Sequence, residues 1–209
     1  DAEDPALRDL WWAHTGGGGG NFGIVTRYWF RSLGAPGDDP RTLLPRAPES
    51  ITTFKAEWRW SDVDQPSFLR LVRNHGIWCE RNSGADSPNA SLWTLLELHR
   101  RQFGTIVVRG VSTAGAGAER QMDDHLAALS DGIGPPGGRA VARMSWLEFA
   151  LDPLPDLFAA PPGGVSAKVK DALLRTRLTD RQIGVAYDYL TRTDHDVMGG
   201  MLGLATYGG

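Results

Sequence analysis

Asp9-Leu10-Trp11-Trp12-Ala13-His14-Thr15-Gly16-Gly17-Gly18-Gly19-Gly20-Asn21-Phe22-Gly23-Ile24-Val25-Thr26-Arg27-Tyr28-Trp29-Phe30 sets five consecutive glycines between two apolar segments. Glycine has no β-carbon, so it permits positive φ and lets another group approach the backbone closely. Such a run is costly in chain entropy. A flexible linker would also be glycine-rich. The flanks argue against a linker, because Leu10, Trp11 and Trp12 precede the run and Phe22, Ile24, Val25, Tyr28 and Trp29 follow it. Phe22 to Phe30 reads as a strand.

The run is not a Walker A loop, since no Gly-Lys-Ser/Thr follows it. Gly18, Gly20 and Gly23 can be written as Gly-x-Gly-x-x-Gly, as any glycine run can. The dinucleotide-binding order is reversed, however: that motif follows a strand and opens a helix, whereas this run opens a strand. Residue chemistry alone makes it a backbone loop that closely approaches a ligand or another segment.

Working outward, Asp4-Pro5-Ala6-Leu7 opens a short helix, with Leu7, Leu10 and Trp11 on one face. Residues 34 to 50 are rich in Gly, Pro and Asp and mark a linker. Ile51 to Trp60 alternates, with Phe54, Ala56, Trp58 and Trp60 on one side, which predicts a half-buried strand. Gln65 to Asn82 carries a helical stripe of Phe68, Leu71, Val72, His75, Trp78 and Cys79. Ser91 to His99 and Gly104 to Ser112 read as a hairpin. Ala116 to Ser130 is a second helix, and Arg139 to Met144 a short strand. A short helix at Ser145 to Leu151 and a strand at Ser166 to Leu174 follow. Thr179 and Gln182 form a capping box for a helix to about Thr193. Val197 to Tyr207 is the last strand. Hairpins mixed with helical crossovers predict an α+β fold, an antiparallel sheet with helices packed on one face.

The 209 residues suit one domain or one and a fraction, and 41% hydrophobic with 22% charged residues is an ordinary globular composition. A net charge of −3 argues against a nucleic-acid or acidic-membrane partner. No apolar run approaches the roughly 20 residues that a spanning helix requires. The opening Asp1-Ala2-Glu3-Asp4 lacks the pattern of a signal peptide. Cys79 is the single cysteine, which excludes an internal disulfide and suits a buried thiol. His14, His75, His99, His125 and His195 are scattered without zinc-ligand spacing, so no metal is expected.

The stretch from Trp11-Trp12-Ala13 through Gly16–Gly20 to Asn21-Phe22-Gly23-Ile24-Val25-Thr26 resembles the glycine-rich signature of FAD-linked oxidases. The group is the berberine-bridge-enzyme-like one, within the vanillyl-alcohol-oxidase/PCMH superfamily. The resemblance implies an FAD cofactor. It implies that Gly19, Gly20, Asn21, Gly23, Ile24 and Val25 lie along the adenosine and pyrophosphate part of that cofactor. It divides the chain into a remnant of the FAD-binding domain (1–33), a linker (34–50) and a truncated substrate domain (51–209). In the family, the second face of the substrate-domain sheet roofs the isoalloxazine ring. Lys168-x-Lys170-x-Ala172 and the terminal Ala205-Thr206-Tyr207-Gly208-Gly209 are similar to segments of sugar-oxidising actinobacterial members, although Val169 and Asp171 depart from the pattern. Nothing here matches the family's flavin-linking His and Cys, so the chain is expected to be an internal piece, inactive by itself.

Tyr207 is the candidate catalytic residue that the resemblance implies: a phenol near the flavin takes the proton of a substrate hydroxyl as hydride leaves. A tyrosine capping a sheet end in solvent is the competing assignment. Core packing is the default role of Trp58, Trp60 and Trp93; if their face roofs the site, they are candidates for flat walls against a sugar ring or polycyclic substrate. The expected partners are a small-molecule substrate, a sugar or glycosylated natural product, and dioxygen. Two other functions fit the residues: a nucleotide- or phosphate-binding module without redox chemistry, and a structural interaction domain.

Overall fold

A computed structural model describes residues 4–15, 21–152, 168–194 and 200–206. The chain divides into two compact units, Asp1–Ala47 and Pro48–Gly209.

In the first unit, helix α1 spans Arg8–Thr15. The turn before it is closed by Asp4, whose side chain accepts from the Ala6 amide at 2.9 Å. Residues 22–30 form no strand, which corrects the expectation for Phe22 to Phe30. A strand is stable only when a neighbour takes up its backbone hydrogen bonds, and the described residues of this unit supply none. The apolar side chains stay in water: Ile24 is 94% exposed and Trp29 82%. Further on, Arg31 pairs with Asp38, and the Ser32 amide donates to Leu43 O at 2.7 Å.

The second unit is built on five antiparallel strands: β1 (Ser50–Arg59), β2 (Leu92–His99), β3 (Thr105–Ser112), β4 (Gly138–Ser145) and β5 (Met201–Ala205). Their spatial order is β4-β1-β3-β2-β5. The helices are α2 (Gln65–Asn82), α3 (Ala118–Ser130), the short α4 (Trp146–Leu151) and α5 (Asp180–Thr191). This is the expected α+β architecture. Only part of the expected strand at 166–174 is described, and residues 168–174 have no regular structure.

Local chemistry accounts for the boundaries. Asp64 caps α2 by accepting from the Ser67 amide at 2.9 Å, with a proline in the first turn. Thr179 and Gln182 satisfy each other's backbone amides at the start of α5, as do Ser145 and Glu148 at α4. The β2–β3 hairpin turns through Gly104, whose φ of +94° suits glycine.

Alternation sorts each strand into two faces. The first face carries Phe54, Ala56 and Trp58 of β1, Leu92, Leu96 and Leu98 of β2, and Ile106 and Val108 of β3. Against it pack Phe68 and Leu71 of α2, Met122, Leu126 and Leu129 of α3, and Ile183 and Leu190 of α5. Phe68, Leu71, Leu96, Ile106 and Ile183 are fully buried. Each such side chain stabilises the fold by about 1.5–3 kcal/mol. The second face is presented by Lys55 and Glu57, by Trp93, Leu95, Glu97 and His99, and by Val107 and Arg109, since these alternate with the core residues.

Candidate functional site on the second sheet face

The second face carries a buried polar cluster. Glu97 has a side chain only 1% exposed, yet it is ionisable and lies opposite Val107 on β2. A buried carboxylate persists only with partners. Glu97 has two that are described: Arg109 Nε donates to Oε1 at 2.6 Å, and His99 Nε2 meets Oε2 at 2.9 Å. Burial pushes the Glu97 carboxyl up. The His99 hydrogen bond and the Arg109 charge outweigh it and hold the group below its ordinary value. The His99 ring stacks on Phe103 with centroids 4.2 Å apart and planes 20° apart. Lys55 and Glu57 form a looser pair at 3.8 Å on the same face.

The expected site residues separate. Trp93 lies on the second face, half-buried. Trp58 and Trp60 do not join it, which corrects their assignment as substrate walls. Both are 4% exposed in the core beneath the helices. Trp58 Nε1 donates to Gly134 O at 2.9 Å, and Trp60 Nε1 donates to His99 O at 3.1 Å. The Trp60 ring stacks on Phe68 at 5.4 Å. Alternation in the sequence groups these tryptophans correctly but cannot tell which sheet face the helices will cover.

Gly19, Gly20 and Tyr207 lie outside the described residues. Asn21, Gly23, Ile24 and Val25 are described and exposed. Gly23 takes a φ of +149°, and no atom lies within 4 Å of the place a β-carbon would occupy. The last described residue, Thr206, donates its amide to Thr94 O at 2.9 Å, while its hydroxyl accepts from the Thr94 amide at 2.7 Å.

Sequence reading missed the Glu97, His99 and Arg109 cluster. Its only local signal is a charged residue and a histidine two apart in an apolar strand, and Arg109 comes from the next strand. On the helix side, an aromatic and histidine cluster joins α2 to α3. His75 and His125 are buried with ring centroids 6.1 Å apart, and Trp78 lies 5.0 Å from His125. Cys79 Sγ is 3.5 Å from His75 Nε2, and burial pushes its thiol up to about 11. Among the described residues, no group of three or more His, Cys, Asp or Glu could hold a metal, and no helix is long and apolar enough to cross a membrane.

An antiparallel sheet with helices packed on one face is the substrate-domain fold of FAD-linked oxidases. The relatives are of that kind. Over its whole length the chain is 41% identical to aclacinomycin-N/aclacinomycin-A oxidase of Streptomyces galilaeus, covering 37% of that protein. It superposes with a TM-score of 0.85 on CrmK, a flavoenzyme of caerulomycin biosynthesis. That match has 39% identity and covers all of this chain and 42% of the other. A glycopeptide hexose oxidase solved with teicoplanin gives a TM-score of 0.80 at 38% identity, covering all of this chain and 41% of that one. No family model matches the sequence. The chain is homologous to FAD-linked oxidases and spans about two-fifths of the length of the relatives it matches. A further relative, 39% identical over 63 residues, is an FAD-linked oxidoreductase of Bacillus subtilis, which agrees with FAD as the cofactor.

Proposed function

We propose that this chain is the substrate-facing part of an FAD-dependent oxidase. The whole enzyme moves a hydride from a secondary alcohol or similar carbon of a sugar or glycosylated natural product to flavin, and the electrons then pass to dioxygen. The observation that carries this is the 41% identity to an aclacinomycin oxidase across the entire chain. FAD, when bound, supplies the hydride acceptor.

The chain's own residues have three tasks. The exposed backbone of Asn21, Gly23, Ile24 and Val25, with Gly19 and Gly20, meets the adenosine and pyrophosphate portion of the cofactor. Trp93 offers a flat apolar wall on the second sheet face. Tyr207 takes the proton of the substrate hydroxyl as the hydride leaves, for which neighbours must lower its ordinary pKa of about 10.

The test is purification of the full-length protein. The expected result is a yellow product whose flavin band bleaches anaerobically on addition of a glycoside and returns with oxygen. A colourless protein that binds a nucleotide without redox change would favour a phosphate-binding module instead. The 209-residue chain by itself, mixed with FAD, is expected to show no turnover.

A further inference from the structure

We propose, on the oxidase reading above, that His99 is a substrate-contacting, specificity-determining residue of the second sheet face. Its Nδ1 accepts a hydrogen bond from a hydroxyl of a sugar-like ring.

Taking a carboxylate out of water is costly, and an apolar residue at position 97 would serve the sheet as well or better. Glu97 is nevertheless buried, and its two oxygens engage Arg109 and His99. What the burial achieves is orientation. A carboxylate held below its ordinary range only accepts hydrogen bonds, so the ring nitrogen facing it, Nε2, must be the donor. In the neutral imidazole the lone pair then belongs to Nδ1. Phe103 fixes the plane of the ring from one side at 4.2 Å. The His99 side chain is 18% exposed, and among the described residues Nδ1 has no hydrogen-bond partner.

These features make a rigid acceptor with a set tautomer. A site built around such an acceptor discriminates sharply against a ligand that lacks the matching donor. Ring hydroxyls are donors of that kind, and the face is otherwise furnished with Trp93 and the Lys55–Glu57 pair. Arg109 neutralises the Glu97 charge, which favours recognition by hydrogen bonding over capture of a cation.

The experiment uses full-length, flavin-loaded protein. The probes are aclacinomycin A and the methyl glycosides of the common hexoses, with kcat and KM read separately. His99→Leu is expected to raise KM about tenfold with kcat within about twofold of wild type, as loss of a binding contact does. His99→Gln, whose amide oxygen can accept, is expected to recover most of that loss. Long-range proton–nitrogen NMR of labelled histidine is expected to show the Nε2–H tautomer at His99.

An unchanged KM in His99→Leu overturns the assignment. So does a His99→Leu variant whose thermal midpoint and kcat fall together, with no rescue by glutamine, because that is a structural role. A flavin that no probe reduces defeats the oxidase reading and the His99 assignment with it. Reduction in wild type without a KM effect in the variant defeats the assignment alone.

Discussion

The Phe54 ring of β1 lies directly over Gly110 of β3, its cross-strand partner, so a β-carbon at Gly110 would fall inside that ring. The close approach lets an aromatic side chain lie flat on the sheet beneath α3, where it meets His125 with centroids 6.2 Å apart. Gly110→Ala is expected to destabilise the domain by about 1–3 kcal/mol, the range for overpacking a core. Urea unfolding checks this, with a shifted midpoint and an unchanged slope. Phe54→Leu in the same background should recover part of the loss, because the two positions share one space.

Two buried histidines make stability depend on pH. Burial lowers His75 to about 4 and His125 to about 3, and in His125 the nearby His75 adds to the shift. Among the described residues, neither nitrogen of His125 has a hydrogen-bond partner. Both pKa values are depressed, so the unfolded chain binds protons more readily than the folded one. The stabilisation is fully present above the unfolded value of about 6.5. It declines as pH falls below that value, and the loss is complete only below the folded values. Between pH 7 and pH 5 each histidine should cost on the order of 2 kcal/mol, measured by urea unfolding at both values. His125→Leu should flatten that slope without lowering stability at pH 7, since it removes buried polar atoms that have no partner.

The capping box at α5 gives a local test. The Thr179 hydroxyl receives the Gln182 amide, and the Gln182 side chain returns to the Thr179 amide at 2.8 Å. The helix brings Ile183 and Leu190 to the core, so its first turn matters to the whole domain. Thr179→Ala should cost about 1 kcal/mol, and Thr179→Ser should cost much less. Thermal midpoints of the two variants decide it.

The exposed run at residues 22–30 predicts how the isolated chain behaves. Phe22, Ile24, Tyr28, Trp29 and Phe30 are each more than half exposed. A contiguous apolar segment in water recruits other apolar surface. The 209-residue chain should bind a hydrophobic fluorescent dye and self-associate at micromolar concentration, whereas residues 48–209 should do so less. Equal dye binding by both would place the exposed surface in the second unit.

Much was legible from local chemistry. Helix α2 follows from a stripe at helical spacing, and the start of α5 from the Thr179 box. The hairpin of β2 and β3 follows from alternation and a short connection. The glycine-rich stretch with its flanks carried the family by itself, and its homologues agree. These signals lie within a few residues of one another, where spacing along the chain is spacing in space.

Tertiary structure decided what spacing could not. Alternation along the chain shows that Phe54, Trp58 and Trp60 share a side, but only the packing of α2, α3 and α5 makes that side the core and takes both tryptophans off the second sheet face. Residues 22–30 have the composition of a strand and no strand structure, because β-pairing needs a partner that sequence pattern does not provide. Glu97 and Arg109 stand 12 residues apart, and antiparallel register alone sets them 2.6 Å from each other. A strand's own sequence specifies which residues alternate. Which face is buried, and which charges meet across it, depends on neighbours that come from elsewhere in the chain.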